Sequence, residues 1–73
     1  MSKVIYSEEH KHLVARLVKA REDSGLDQES IAKILKKSQS YISKVESGQR
    51  RIDIVQLKEF AKAYKKPFDY FIK

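Results

Sequence analysis

Cysteine is absent from the 73 residues, which removes both a disulfide framework and a zinc–thiolate site and leaves packing to hold the fold. The same absence suits a reducing compartment, and a cytoplasmic location is expected. Proline occurs once and glycine twice. Apart from the short patch Val4-Ile5-Tyr6, no run alternates apolar with polar residues, so strands and hairpins have almost no support and the chain reads as nearly all helix. No apolar run approaches the ~18 residues of a membrane span. Ser7-Glu8-Glu9 breaks the N-terminal patch before the apolar stretch of an export signal could form. A chain this short also has no room for a two-lobed enzyme cleft.

What the sequence has is charge. Apolar residues make up 41% and charged residues 36%, enough for a small core and too apolar for a disordered tail. Sixteen Lys and Arg stand against ten Asp and Glu, a formal charge of +6, and polyanions are the natural partners of such a surface. Which residues meet them depends on where the helices fall.

The punctuation predicts five short helices. Ser7 can cap the first, with Glu8 and Glu9 at its positive end and Leu13, Val14, Leu17 and Val18 recurring at helical spacing until Ser24-Gly25 stops the run. Asp27 can cap a second with Ile31, Ala32 and Leu35 inward, ending around Lys36-Lys37. Ser38 can cap a third with Tyr41, Ile42 and Val45 inward and Gly48 in the left-handed position that closes many helices. Asp53 and Gln56 form a capping-box pattern for a fourth helix carrying Ile54, Leu57, Phe60, Ala61 and Tyr64. Pro67 permits a last turn that folds Phe68, Phe71 and Ile72 back over the core. Helices this short are unstable alone and must share one core. Residues 1–7 are expected to form an N-terminal arm and residues 8–73 a single domain.

Between Gln28 and Arg51 two short helices are separated by only a few residues, the spacing of a helix-turn-helix. In such a pair the second helix protrudes, free to enter a major groove ~12 Å wide. With Ile42 and Val45 inward, its outer face is Gln39, Ser40, Ser43 and Lys44, with Ser47 further on. These side chains are polar or basic and include no carboxylate. Glutamine can bond bidentately to adenine, serine to base edges or phosphate, and lysine to guanine or phosphate.

The stretch Gly25-Leu26-Asp27-Gln28-Glu29-Ser30-Ile31-Ala32, followed by Ser38-Gln39-Ser40-Tyr41-Ile42-Ser43-Lys44-Val45-Glu46-Ser47-Gly48-Gln49-Arg50-Arg51, resembles the lambda-repressor-like (Cro-type, XRE) helix-turn-helix family. The likeness continues through Leu57-Lys58-Glu59-Phe60-Ala61-Lys62-Ala63-Tyr64 to Pro67-Phe68-Asp69 and so covers roughly residues 8 to 72. It implies a compact five-helix all-α domain with helices two and three as the helix-turn-helix. It implies that Gln28 binds a phosphate and braces Gln39, which contacts a base. It further implies an ion pair between Arg21 and Glu46, and a phosphate clamp in Gln49, Arg50 and Arg51, with Tyr41 as another backbone contact. Two departures stand out. Lys36-Lys37 replaces the family's usual glycine and small apolar residue, so the turn is expected to differ in shape while Lys36 and Lys37 add to the phosphate footprint. Asp27 replaces the usual Thr or Ser, which places a negative charge near the DNA backbone.

His10 and His12, two positions apart, point to different sides of a helix and have no third partner, so both are read as surface histidines rather than metal ligands. No nucleophile–base arrangement or Gly-rich phosphate loop is present. Neither enzyme activity nor a cofactor or metal is expected. Tyr70, Ile72 and Val55 fall off the inward face and are candidates for a dimer patch. The expected function is a sequence-specific regulator of transcription, in the first instance a repressor, that binds double-stranded DNA as a homodimer on an inverted repeat. RNA polymerase or a partner protein stands as a further partner, and no membrane is involved. The competing readings are an antitoxin-type interaction module that neutralises a partner protein, for which no disordered tail remains, and a sequence-neutral architectural binder.

Overall fold

Four side chains set the starts of the long helices, and each does so locally. In the computed structural model, which describes residues 7–73, the helices are α1 (Glu8–Asp23), α2 (Gln28–Leu35), α3 (Gln39–Glu46), α4 (Ile54–Tyr64) and α5 (Asp69–Ile72), with no strand among the described residues. Ser7, Asp27 and Ser38 accept from the amides of His10, Ser30 and Tyr41. At Asp53 the capping box is complete: Gln56 N–H donates to Asp53 Oδ1 at 2.8 Å and Asp53 N–H to Gln56 Oε1 at 3.0 Å. Each cap satisfies amide donors that the first turn would otherwise leave bare, for ~1 kcal/mol apiece. The bond from Ser30 also holds the Asp27 carboxyl below the usual carboxylate range. Ser7 is the one described residue of the expected arm; Val4-Ile5-Tyr6 lies outside the described residues.

The end of α2 corrects an expectation. Lys36 adopts the left-handed conformation, φ 59° and ψ 44°, so the turn keeps the shape a glycine would give it. A lysine there costs about 1 kcal/mol more than glycine. The cost is offset by the amides of Lys36 and Lys37, which donate to Lys33 O at 3.1 Å and Ala32 O at 2.8 Å and close the helix end. Lys65 repeats the device after α4 at φ 59°.

The core is drawn from all five helices: Leu17 and Ala20; Ile31 and Ala32; Ile42 and Val45; Leu57, Phe60, Ala61 and Tyr64; and Phe71. One turn of helix such as α5 has no stability of its own. Phe71, 0% exposed, supplies ~2–3 kcal/mol of burial to hold it down. Tyr70 does not lie free as expected. It packs against the core, edge-on to Phe71, with the Arg16 guanidinium and the Lys66 ammonium each 4.8 Å from its ring centre. Val55 and Ile72 are exposed, at 62% and 56%, so Ile72 does not fold back over the core with Phe68 and Phe71, and Ile54 is exposed at 59% rather than buried. Ile54 opens α4, where the helical repeat no longer reports which way a side chain faces. His10 also corrects the sequence reading: it is 7% exposed, its Nε2 3.2 Å from the Gly48 carbonyl oxygen.

Tyr64 is the buried residue with a testable polar cost. Its hydroxyl meets no hydrogen-bond partner among the described residues. Burial, helped by the Glu46 carboxylate, pushes its pKa well above the ordinary 10.0. A folded-state pKa raised this way gives stability that is complete below the unfolded value and is lost as pH climbs from about 10 toward the folded value. Tyr64→Phe should therefore leave the unfolding free energy at neutral pH within about 0.5 kcal/mol of the parent, or above it, and flatten the alkaline decline in urea titrations. An equally steep decline in the variant would assign the alkaline loss to other groups.

Candidate nucleic-acid interface

Glu46, in the last turn of α3, is a carboxylate with only 7% of its side chain exposed, and burying it demands donors. Three arrive from two other helices. Arg21 of α1 donates from Nε to Oε2 at 2.8 Å and from Nη2 to Oε1 at 3.1 Å, and Gln28 at the head of α2 donates from Nε2 to Oε1 at 3.0 Å. The bond to Glu46 raises the Arg21 pKa above its ordinary value, against the opposing effect of burial. Arg21 Nη1 also reaches the Leu26 carbonyl at 3.1 Å, so the same side chain holds the loop between α1 and α2, a contact that nothing in the sequence indicated.

The chain of bonds continues to the outer face. A carboxylate only accepts, so Gln28 must turn its amide nitrogen toward Glu46 and its oxygen away. That oxygen is 3.4 Å from Gln39 Nε2, at the long end of a hydrogen bond. The orientation of Gln39, the first residue of α3, is thereby related through Gln28 and Glu46 to Arg21 on α1. Ser40, Ser43 and Lys44 follow it on the exposed face, while Ile42 and Val45 are buried.

The basic residues divide. Lys37 in the turn before α3 and Arg50 in the loop after it lie over the ring of Tyr41, at 5.2 Å and 5.0 Å from its centre. The ring in turn stacks on buried Phe60 at 6.5 Å. Two cations from opposite ends of α3 are thus gathered at one aromatic, each such contact contributing ~0.5–1 kcal/mol where exposed. Burial pushes the Tyr41 phenol upward and the Arg50 charge pulls it back. Lys36 is not part of this group; it lies along a groove between α2 and α4 with Ile34, Glu59 and Lys62. Gln49, Arg50 and Arg51 are exposed, and the amides of Gln49 and Arg50 donate to Lys44 O at 2.9 and 3.1 Å. Among the described residues no cluster of His, Cys, Asp or Glu could hold a metal ion, and no helix is long and apolar enough to cross a membrane.

A protruding short helix, reached by a tight turn and locked from behind by its predecessor, defines the helix-turn-helix class. Residues 17–71 match the helix-turn-helix family model, more than half of the chain. The chain belongs to the XRE-type, lambda-repressor-like helix-turn-helix family of DNA-binding regulators. No curated protein and no solved structure gives a significant match.

Removing one side of the buried pair leaves the other charge uncompensated. Glu46→Ala should cost ~3–5 kcal/mol, while a combined Arg21→Met, Glu46→Leu replacement should recover most of that loss. Urea unfolding of the three proteins measures both. A loss under ~1 kcal/mol in the single variant, the value of an exposed pair, would remove the pair from its anchoring role.

Proposed function

We propose that this protein is a sequence-specific reader of double-stranded DNA that represses transcription by occupying an operator in the cytoplasm. Gln39, Ser40, Ser43 and Lys44 contact base edges in the major groove. Gln28, Tyr41, Lys36, Lys37, Gln49, Arg50 and Arg51 hold phosphates. One α3 reads only a few base pairs, so useful specificity calls for a homodimer on inverted half-sites about one helical turn, ~34 Å, apart.

The observation that carries this reading is the relay ending at Gln39. With one N–H of its amide turned to Gln28 Oε1, the side chain keeps one N–H and its carbonyl oxygen for a ligand. One donor and one acceptor side by side complement adenine, whose major-groove edge offers the N7 acceptor beside the N6 donor. The pairing of Lys37 and Arg50 around Tyr41 supports the phosphate contacts, since it gathers positive charge beside that helix end. No carboxylate on the outer face of α3 opposes a polyanion; Glu46, at its end, is neutralised by Arg21.

The test is selection of bound duplexes from a random pool, then titration of the winner against a scrambled duplex at two salt concentrations. An enriched inverted repeat bound ~10³-fold or more above control at matched salt is expected. Gln39→Ala should lose ~1–3 kcal/mol of discrimination at one base pair of each half-site. Arg50→Ala should weaken all duplexes alike and reduce the salt slope by ~1. Affinities that fall together for both duplexes as salt rises, with nothing enriched, would sink the reading and direct attention to a protein partner.

A further inference from the structure

We propose that His10 is a positioning residue for DNA contact, tethering the loop that carries Gln49, Arg50 and Arg51 through a hydrogen bond to the Gly48 carbonyl. The inference rests on the reading of that loop as a phosphate contact. His10 lies near the start of α1, 38 positions from Gly48, and is 7% exposed with Nε2 3.2 Å from the Gly48 oxygen. A carbonyl only accepts, so Nε2 must carry the proton and donate.

Gly48 is where such a tether matters. Its φ is +84°, a conformation that side chains rarely adopt, and a Cβ there would meet only His10 Nε2, at an ordinary 3.8 Å. Backbone conformation rather than space therefore requires the glycine. Glycine also has the widest choice of conformations, so the residue that ends α3 is by itself a loose joint. On one side the joint is closed by amides: Gly48 N–H donates to Val45 O at 3.1 Å, and those of Gln49 and Arg50 to Lys44 O. The Gly48 carbonyl is turned to α1, and His10 receives it.

His10 and Arg21 are eleven positions apart, close to three full turns at ~3.6 residues per turn, and so share one face of α1. That face grips the end of α3 twice, by Arg21 on Glu46 and by His10 on Gly48. The first grip sets the helix and, through Gln28, the direction of Gln39. The second sets the point from which the chain departs toward Arg50, two residues on, whose guanidinium is over Tyr41. An apolar side chain would fill the volume of the imidazole, but it would leave a buried carbonyl without a donor and the glycine without a constraint.

The experiment compares the unaltered protein with His10→Gln, which keeps a donor at similar reach, and His10→Phe, which keeps a ring and loses the donor. Three readouts are taken: the imidazole tautomer by ¹⁵N NMR of the unaltered protein, amide order parameters of Gln49 to Arg51 in the three free proteins, and affinity for the selected duplex at two salt concentrations. The expected tautomer carries its proton on Nε2. The Phe variant should drop the loop from an order parameter near ~0.85 to below ~0.6. It should bind about tenfold more weakly, with a salt slope flattened by ~1 and base preference unchanged. The Gln variant should restore order and affinity. A proton on Nδ1, an equally ordered loop in the Phe variant, or a Gln variant no better than Phe would each overturn the inference. The tautomer needs no variant and the order parameters need no DNA. Where the Phe protein does not fold, a proton on Nδ1 or a Gln variant whose loop is less ordered than that of the unaltered protein would still overturn the inference, and failure of the unaltered protein to select a duplex counts against the DNA-reading proposal itself.

Discussion

The buried carboxylate of Glu46 is the constraint from which the arrangement of the first three helices follows. A charge removed from water must be met by donors in good geometry, and those available are Arg21 from α1 and Gln28 from α2. Hydrophobic contact alone tolerates sliding, because it is non-directional. Hydrogen bonds near 3 Å do not. Such a cluster contributes less net stability than an apolar replacement of equal volume can, so its use here is positional: it sets α3 against both preceding helices. The apolar residues Leu17, Ile31, Ile42 and Val45 supply the driving force on which that positioning rests.

Aromatic rings manage the excess of positive charge. Tyr41 and Tyr70 each have two cations against the ring, Lys37 with Arg50 in one case and Arg16 with Lys66 in the other. Lys66 also approaches Asp23 at 3.6 Å, which Lys19 reaches at 3.5 Å, so the second group includes a carboxylate. That group sits where α5 docks on α1 and is part of the packing. The first is gathered from the turn and loop flanking α3, and the Glu59 and Asp53 carboxylates act on its phenol from a distance. Long basic side chains lose rotamer freedom when they bind phosphate. In the proposed phosphate contacts, a ring that already restrains Lys37 and Arg50 would move part of that entropy loss from binding to folding.

Legibility in the sequence followed the range of each interaction. Helix starts were readable at Ser7, Asp27, Ser38 and Asp53 because a cap and its amide are three residues apart and need no tertiary information. Most core positions inside helices were readable from periodicity, though Ala20 was not singled out, whereas Ile54 and Ile72, at helix ends, were misjudged. At Lys36 the sequence showed the strain but not the outcome, since the bonds that close α2 are backbone bonds any residue can make. The Arg21–Glu46 pairing came from family resemblance rather than spacing: 25 positions separate the two, and no local pattern joins them. His10 was hidden altogether. Its partner is a backbone carbonyl in a distant loop, and a carbonyl leaves no mark in an amino-acid sequence.

The longest bond in the relay is the one at the exposed face. Arg21 to Glu46 is 2.8 Å and partly buried, Gln28 to Glu46 3.0 Å, and Gln39 to Gln28 3.4 Å and exposed. The bonds thus lengthen from the interior outward. A reading side chain held as tightly as Arg21 would suit one groove geometry and resist adjustment, while one with no bond at all would present its donor and acceptor in either order. A long, exposed bond to an oriented amide biases the order without fixing the position. On an eight-residue helix that offers few side chains to a groove, the proposed reading places discrimination at the biased side chain, Gln39, and the buried Glu46 carboxylate two links away is what sustains that bias.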